Sequence, residues 1–354
     1  MLCALIMAGG RGERFWPLST DEKPKQFLQL LGDKTMIQMT VERLEDLIDI
    51  ERIFVVTGER YVDILREQLP KLPKRNIIVE PVGRNTAPCI ALSAFVINKY
   101  YGDASIVVLP SDHLIVHEDK LLNTIKAAEE FVSKNDASIV TLGMEPTRPE
   151  TGYGYIESGE VSDKIDQFEI KKVNKFVEKP NKEKAEKYVE AGNFLWNGGM
   201  FIWKCSTILK LTEKYLNKTY NILKNVMDVG KDEFQIVLKK EYEKVENISV
   251  DYGIMEKADS IYVIPCDFGW DDIGTWYAVE RYRDKDEDNN VCVGDIKSID
   301  SKNNILVGRK KPIVVVGLSD VFVVESDDII FVGKKDDIER IKEIKEKVKD
   351  QYNK

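Results

Sequence analysis

Gly9, Gly10 and Gly12, interleaved with Arg11 and Arg14 and followed by Lys23 and Lys25, are residues of the types that hold phosphate. They follow a short apolar run, Leu2 to Met7, that reads as a buried strand. Glycine tolerates positive φ and lets backbone N–H groups approach a ligand, so a glycine-rich turn at a strand's carboxyl end can form an anion-binding concavity. Arginine and lysine supply the countercharge. Two commoner phosphate loops do not fit. A dinucleotide fingerprint wants a glycine three residues after Gly12, where Phe15 stands, and a Walker A loop wants Gly-Lys-Ser/Thr, which the segment lacks. By themselves the glycines would equally suit a tight strand-to-helix turn with a solvated basic rim.

Other groups with chemistry lie at strand ends. Ser111 and Asp112 follow the apolar run Ser105 to Leu109. An aspartate there can be a turn or cap residue, or it can place a carboxylate at a site beyond the strand. The stretch EPVGRNTAPCIALSA, 80–94, leaves a strand and enters a helix with Asn85 or Thr86 in capping position. Glu178 and Lys179 precede Pro180, which is expected to hold them extended with their side chains in a defined direction. The segment FLWNGGMFIWK, 194–204, reads as a buried strand interrupted by Asn197, Gly198 and Gly199. Glycines inside a strand mark a bulge or a close ligand approach. His113 and His117 are the chain's two histidines, so a histidine general base could stand only at these positions.

The elements that must position these groups follow from periodicity. Strand patterns occur near 2–7, 52–57, 76–80, 105–109 and 138–143, with helical patterns near 35–48, 60–69, 86–100 and 118–133. The runs IFVV, SIVVL and SIVTL are apolar without alternation, as strands covered by helices on both faces are. An α/β fold is predicted, with a Rossmann-like, doubly wound, mostly parallel sheet and ligands at the strands' carboxyl ends. Residues 206–245 read as charged helices flanking that sheet. From about 285 short β runs separated by Gly, Asn, Asp and Ser predict a small C-terminal β domain, β-helix-like or rolled. In the terminal helix Ile338, Ile341, Ile344 and Val348 share a face that must pack, on its own domain or as the seam of a homodimer.

Composition narrows the partners. A chain of 354 residues with 43% hydrophobic content and five tryptophans can bury the cores of one large and one small domain. Its net charge of −9 argues against a nucleic-acid surface, so an anionic substrate must enter a local basic pocket. The sequence holds no run of ~18 apolar residues and no leader pattern, which predicts a cytoplasmic protein without a membrane partner. Cys3, Cys89, Cys205, Cys266 and Cys292 are scattered, as reduced cytosolic thiols are.

AGGRGERFWPLS followed by KPKQFLQL resembles the signature of the sugar-nucleotide pyrophosphorylases, in the form of their mannose-1-phosphate guanylyltransferase branch. The resemblance continues through GRNTAP, LPSDH, FVEKP, DYGIMEK and GWDDIGTW, in family order over positions 5 to 276. It implies an enzyme that transfers GMP from GTP to mannose 1-phosphate and releases pyrophosphate. It also implies a nucleotidyltransferase domain over 1–283 and a β domain with its terminal helix over 284–354, short of the isomerase domain of longer relatives. Mg²⁺, with Mn²⁺ as the other candidate, would be held by Asp112 and Asp272, while Asp271 takes the variable position of its motif. Ala8, Gly9, Gly10, Arg11, Gly12, Asn85, Thr86 and Ser111 would contact the nucleotide, with Arg14 and Lys25 on its triphosphate and the departing pyrophosphate. Gly152, Gly154, Glu178, Lys179, Asn197 and Asp251 would hold the sugar phosphate. Gly198 and Gly253 depart from the family's serine and alanine. A pyrophosphorylase for another NTP and hexose 1-phosphate, or a non-catalytic subunit that binds sugar nucleotides, would use the same motifs. The implied nucleophile, a phosphate with a second pKa of ~6, is already ionised at neutral pH. Catalysis would then rest on positioning and charge neutralisation.

Overall fold

The computed structural model describes residues 1–10 and 12–352, with side chains to Val348. Arg11, expected on the nucleotide, lies outside the described residues. The chain forms two compact units, one of Met1–Gly9, Thr40–Ser111 and Ile115–Trp270, the other of Gly10–Met39, Asp112–Leu114 and the chain from Asp271 onward.

In the first unit Leu2–Met7 (β1), Ile53–Gly58 (β2), Ile77–Glu80 (β3) and Ser105–Pro110 (β4) pair in parallel, β1 lying between β2 and β4 and β2 beside β3. Cys3 to Ile6 and Ile53 to Thr57 are buried throughout, which explains the unbroken apolar runs. Ile139–Met144 (β5), Gly154–Ile165 (β6), Phe168–Val177 (β7), Phe194–Lys204 (β8) and Ile261–Cys266 (β9) complete the sheet. Among the described residues it has nine strands, in the order β3-β2-β1-β4-β8-β5-β9-β7-β6. β5 and β9 pair in parallel, whereas β8 runs antiparallel between β4 and β5, and β6 and β7 form an antiparallel hairpin. The sheet is mixed, with antiparallel β8 set among its parallel strands.

β8 is continuous from Phe194 to Lys204, and its glycines mark a bulge: Thr141 of β5 pairs with Phe201 but Gly143 pairs with Asn197, so Gly198 to Met200 lie opposite one residue, and Gly199 has a φ of 65°. A Cβ at Gly143 would stand 2.6 Å from Val263 and 2.8 Å from Leu195, so only glycine fits there. Helix Thr86–Tyr101 buries Ala87, Cys89, Ile90, Ala91, Leu92, Ala94 and Ile97 against helices Cys205–Tyr215 and Asn217–Met227. Helix Glu118–Lys134 lays Leu121, Ile125, Ala128 and Phe131 on the sheet. Among the described residues no helix is long and apolar enough to cross a membrane.

The second unit contains a β coil. Val291–Val293, Ile305–Val307 and Val321–Glu325 stack in parallel, Ile330–Lys334 closes that sheet antiparallel, and Ile296–Ile299 pairs in parallel with Ile313–Val316. Asparagines that read as turn residues are interior. Asn304 Nδ2 donates to Asn290 Oδ1 at 2.9 Å, and Asn304 Oδ1 accepts from the Val321 N–H at 2.9 Å, so side-chain amides link successive coils. Aromatic rings join this coil to the glycine-loop segment: Phe15 meets Trp276 at 5.4 Å, Trp276 meets Phe322 at 5.0 Å, Phe322 meets Phe331 at 5.3 Å, and Phe331 meets Trp16 at 5.5 Å. The apolar face of the terminal helix Ile341–Tyr352 packs into this same core, with Ile341 buried and Ile344 and Val348 against it. Ile341→Ala should therefore cost about 2–4 kcal/mol of stability in urea denaturation. Ile236→Ala, at a position 73% exposed, should change it by less than about 0.5 kcal/mol. Equal effects would contradict this account of the core.

Candidate active site

In the second unit the glycine loop meets Lys25. Gly12 has a φ of 57°, and a Cβ on it would fall 2.5 Å from Lys25 Cβ and 2.6 Å from Lys25 N. Gly12 is thus constrained twice, by conformation and by space. Lys25 follows Pro24 and opens a one-turn 3-10 helix, Lys25–Phe27. Its side chain is only 7% exposed, and its ammonium donates to Asp112 Oδ2 at 2.9 Å and to the carbonyl oxygen of Asp272. Desolvation pushes the Asp112 carboxyl up, but the Lys25 charge, aided by His113, brings it below its ordinary value.

Adjacent aspartates separate into two roles by geometry. Asp271 is buried, where it accepts from Ile273 N at 2.8 Å, the Arg281 guanidinium at 2.6 Å and the Tyr282 hydroxyl at 3.1 Å. Asp272 faces a cavity of about 520 Å³ together with Gly12, Arg14, Lys25, Asp112 and His113. Gly274 keeps this wall open, because a Cβ there would lie 3.2 Å from both Asp272 carboxylate oxygens and 3.4 Å from Arg14 Nη1. Among the described residues no three His, Cys, Asp or Glu side chains gather as a metal site. Two carboxylates on one cavity nonetheless form a hard oxygen donor set that suits Mg²⁺ or Mn²⁺, which commonly take their remaining ligands from phosphates and water.

In the first unit Glu178, Lys179, Asn197 and Asp251 come together. Asn197 Nδ2 donates to Asp251 Oδ1 at 3.0 Å, and Lys179 Nζ lies 2.5 Å from Glu178 Oε1. Gly154 pairs with Asn197 across the β6–β8 ladder, and a Cβ on it would stand 2.6 Å from Glu178 Oε2. The expected extended pre-proline geometry is not adopted: Lys179 has a φ of 43°. In this left-handed turn after β7 the Glu178 side chain is 9% exposed and the Lys179 side chain 62% exposed. Gly152 lies in a turn in which its N–H donates to Glu150 at 3.2 Å. Burial, then the Glu178 charge, raises the Asp251 carboxyl to about 6. The hydrogen bond to Glu178 raises the Lys179 ammonium.

Asn85, with a φ of 67°, caps helix Thr86–Tyr101 through Oδ1, which accepts from Thr86 N at 2.9 Å. The Thr86 hydroxyl accepts from Val250 N at 2.8 Å, one residue before Asp251. Ala8 is buried and its N–H donates to Val56, so its backbone belongs to the sheet; Gly9 and Gly10 are exposed. Ser111 is buried, its N–H donating to Met7 and its carbonyl accepting from Thr40. Gly198 is crowded: a Cβ there would meet Met144 Cε at 2.2 Å, so a serine requires that flexible tip to move.

Two groups escaped the sequence reading. Tyr153 stands edge-on to Trp196 at 5.3 Å and Trp270 at 5.0 Å, an aromatic wall beside Asn197 whose members are far apart in the chain. Glu80 is buried at the end of β3, where the Tyr242 hydroxyl donates to it at 2.6 Å and burial raises its carboxyl to about 6. A glutamate closing an apolar strand directly before a proline was the available signal.

A family model described as Nucleotidyl transferase matches residues 3–289, and one described as MannoseP isomerase/GMP-like beta-helix domain matches residues 294–348. Mannose-1-phosphate guanylyltransferase 2 of Escherichia coli O157:H7 is 39% identical over 98% of this chain and 73% of that protein. Mannose-1-phosphate guanylyltransferase of Escherichia coli K12 is 35% identical over 98% of this chain and 73% of its own. A crystal structure from Thermus thermophilus, named as a mannose-1-phosphate geranyltransferase, superposes with a TM-score of 0.85 at 32% identity, covering 98% of this chain and 99% of that one.

The Asp251 carboxyl yields a pH prediction. Its proton is held more tightly in the folded chain, at about 6, than in the unfolded chain, where aspartate titrates near ~3.9. The buried carboxylate therefore weakens the fold above about pH 6, and the penalty fades as the pH falls toward about 4. Asp251→Asn should stabilise the protein at about pH 8 by up to roughly 2–3 kcal/mol and add almost nothing near pH 4. Urea denaturation at both pH values checks this, and an equal gain at both would assign the effect to another cause.

Proposed function

The chain belongs to the nucleotidyltransferase family, in its mannose-1-phosphate guanylyltransferase branch, and from that premise we propose that it transfers GMP from GTP to mannose 1-phosphate, giving GDP-mannose and pyrophosphate. The supporting observation is the grouping of Arg14, Lys25, Asp112 and Asp272 on one cavity, a local basic and metal-binding chemistry in a chain of net charge −9.

A phosphate oxygen of mannose 1-phosphate attacks the α-phosphorus of GTP, the bond from that phosphorus to the bridging oxygen breaks, and pyrophosphate leaves in line. The attacking group is ionised at neutral pH, so no side chain has to remove a proton. The obstacle is the approach of a dianion to a triphosphate, which positioned cations relieve. Gly9, Gly10 and Gly12 offer backbone N–H groups to the phosphates, Arg14 and Lys25 neutralise the triphosphate and the departing pyrophosphate, and Asn85, Thr86 and Ser111 line the nucleotide. Lys179 receives the sugar phosphate, and Glu178, Asn197 and Asp251 read the hydroxyls. Asp112 and Asp272 would hold Mg²⁺ or Mn²⁺, whose chemistry there is to neutralise charge on phosphoryl oxygens.

A nucleotidyltransferase domain over 1–283 and a β domain over 284–354 are part of the proposal, supported by family matches that end at 289 and begin at 294. So is a cytoplasmic location, where GTP is available.

Pyrophosphate release measured for four NTPs against several hexose 1-phosphates tests the substrates. GTP with mannose 1-phosphate should be the best pair, and tenfold faster turnover with UTP and glucose 1-phosphate would overturn the assignment. Asp272→Asn should lower kcat on the order of 10²-fold or more with the fold intact, since a ligand of the charge-neutralising cation is lost. Asp271→Asn should lower the melting temperature and leave kcat within a few fold, because its partners are Ile273, Arg281 and Tyr282. The reverse pattern would exchange the two aspartates.

A further inference from the structure

We infer that Lys25 is a built-in counter-ion that competes with the divalent cation for the Asp112 carboxylate, so that metal enters with the nucleotide and not before it. The inference rests on the proposal that Asp112 and Asp272 hold the metal. It starts from the contacts of the Lys25 ammonium, which donates to Asp112 Oδ2 at 2.9 Å and to the Asp272 carbonyl oxygen.

This lysine is not a mobile surface cation. Its side chain is 7% exposed, its Cβ and backbone nitrogen fill the space that a Cβ on Gly12 would need, and the turn it begins is anchored by buried Gln26 and Phe27. The stem is thereby fixed and the ammonium is aimed at the aspartates. A divalent cation at Asp112 must then displace a positive charge from an oxygen it already neutralises, and the displaced ammonium stays near enough to repel it. This weakens metal binding by the protein alone.

A triphosphate alters this balance. Lys25, Arg14 and Gly12 line the same cavity, so phosphate oxygens give the ammonium new acceptors and release Asp112 to the metal. The three charged parties exchange partners: ammonium from carboxylate to phosphate, carboxylate from ammonium to metal. Lys25 thereby suppresses binding of metal without nucleotide and takes up its phosphate contact only when the nucleotide is present.

Mn²⁺ binding, followed by the electron paramagnetic resonance of free Mn²⁺, tests this without turnover. Wild type, Lys25→Met and Lys25→Gln are compared alone and with a saturating GTP analogue whose α,β-bridging oxygen is replaced by carbon. Without nucleotide, both variants should bind Mn²⁺ at least tenfold more tightly than wild type, and adding Asp112→Asn should erase the gain. With the analogue the difference should shrink below about threefold. If neither variant gains affinity while Asp112→Asn still weakens Mn²⁺ in the nucleotide complex, the competition is refuted and the metal assignment stands. If Asp112→Asn and Asp272→Asn leave Mn²⁺ in that complex unchanged, the metal assignment fails and takes the inference with it. A second measurement needs no variant. Saturating Mn²⁺ alone should expose Lys25 of the unaltered protein to acetylation, read by peptide mass, and protection that stays unchanged would overturn the inference.

Discussion

A single buried ammonium ties together three stretches that lie far apart in the second unit's sequence. Lys25 meets Asp112 and the carbonyl of Asp272, and a cation so little exposed is tolerable only because these oxygens replace its water. Much of the local construction follows from keeping that contact. Gly12 has no Cβ because Lys25 occupies the space, and Gly274 has none because the Asp272 carboxylate and Arg14 stand there. The run of rings from Phe15 through Trp276, Phe322 and Phe331 to Trp16 holds the loop's backbone against the β coil, so the coil braces charged groups that it does not contribute.

The first unit solves an opposite problem. There Glu178 and Asp251 are pressed together, with Lys179 on the outer side of the turn and Asn197 bonded to Asp251. Burial first, and then the nearby Glu178 charge, raises the proton affinity of the Asp251 carboxyl. In the proposed reading, sugar hydroxyls meet the two carboxylates and the phosphate dianion meets the lysine.

What the sequence made legible depended on how local the cause was. The strands β1 to β5 and their helices fall where apolar runs and capping residues put them, because burial on both faces leaves a continuous hydrophobic signature. The place of β8, antiparallel between β4 and β5, left no such mark, since strand pairing is a long-range choice and an apolar strand reads alike in either direction. Asn290 and Asn304 looked like turn residues, yet they are interior, because stacking coils satisfies a buried amide from the coils above and below. Lys179 departs from the extended backbone expected before a proline, and its left-handed turn has no local signature in the sequence. The choice of Asp272 over Asp271 came from motif resemblance alone; geometry supplies a physical ground, since Asp271 is already enclosed by Arg281 and Tyr282.

The bond from Val250 N–H to the Thr86 hydroxyl carries a consequence for how this protein can change over evolutionary time. Thr86 opens the helix after the GRNTAP loop, and Val250 immediately precedes Asp251, so the two segments share an anchor. A substitution that re-seats one drags the other, and its effect depends on the residue its neighbour already carries. If Thr86 serves the nucleotide and Asp251 the sugar, as proposed, preferences for the two ends of the ligand are on that account epistatic, inherited as a linked trait, and lineages that alter one without adjusting the other pass through a poorly adapted intermediate.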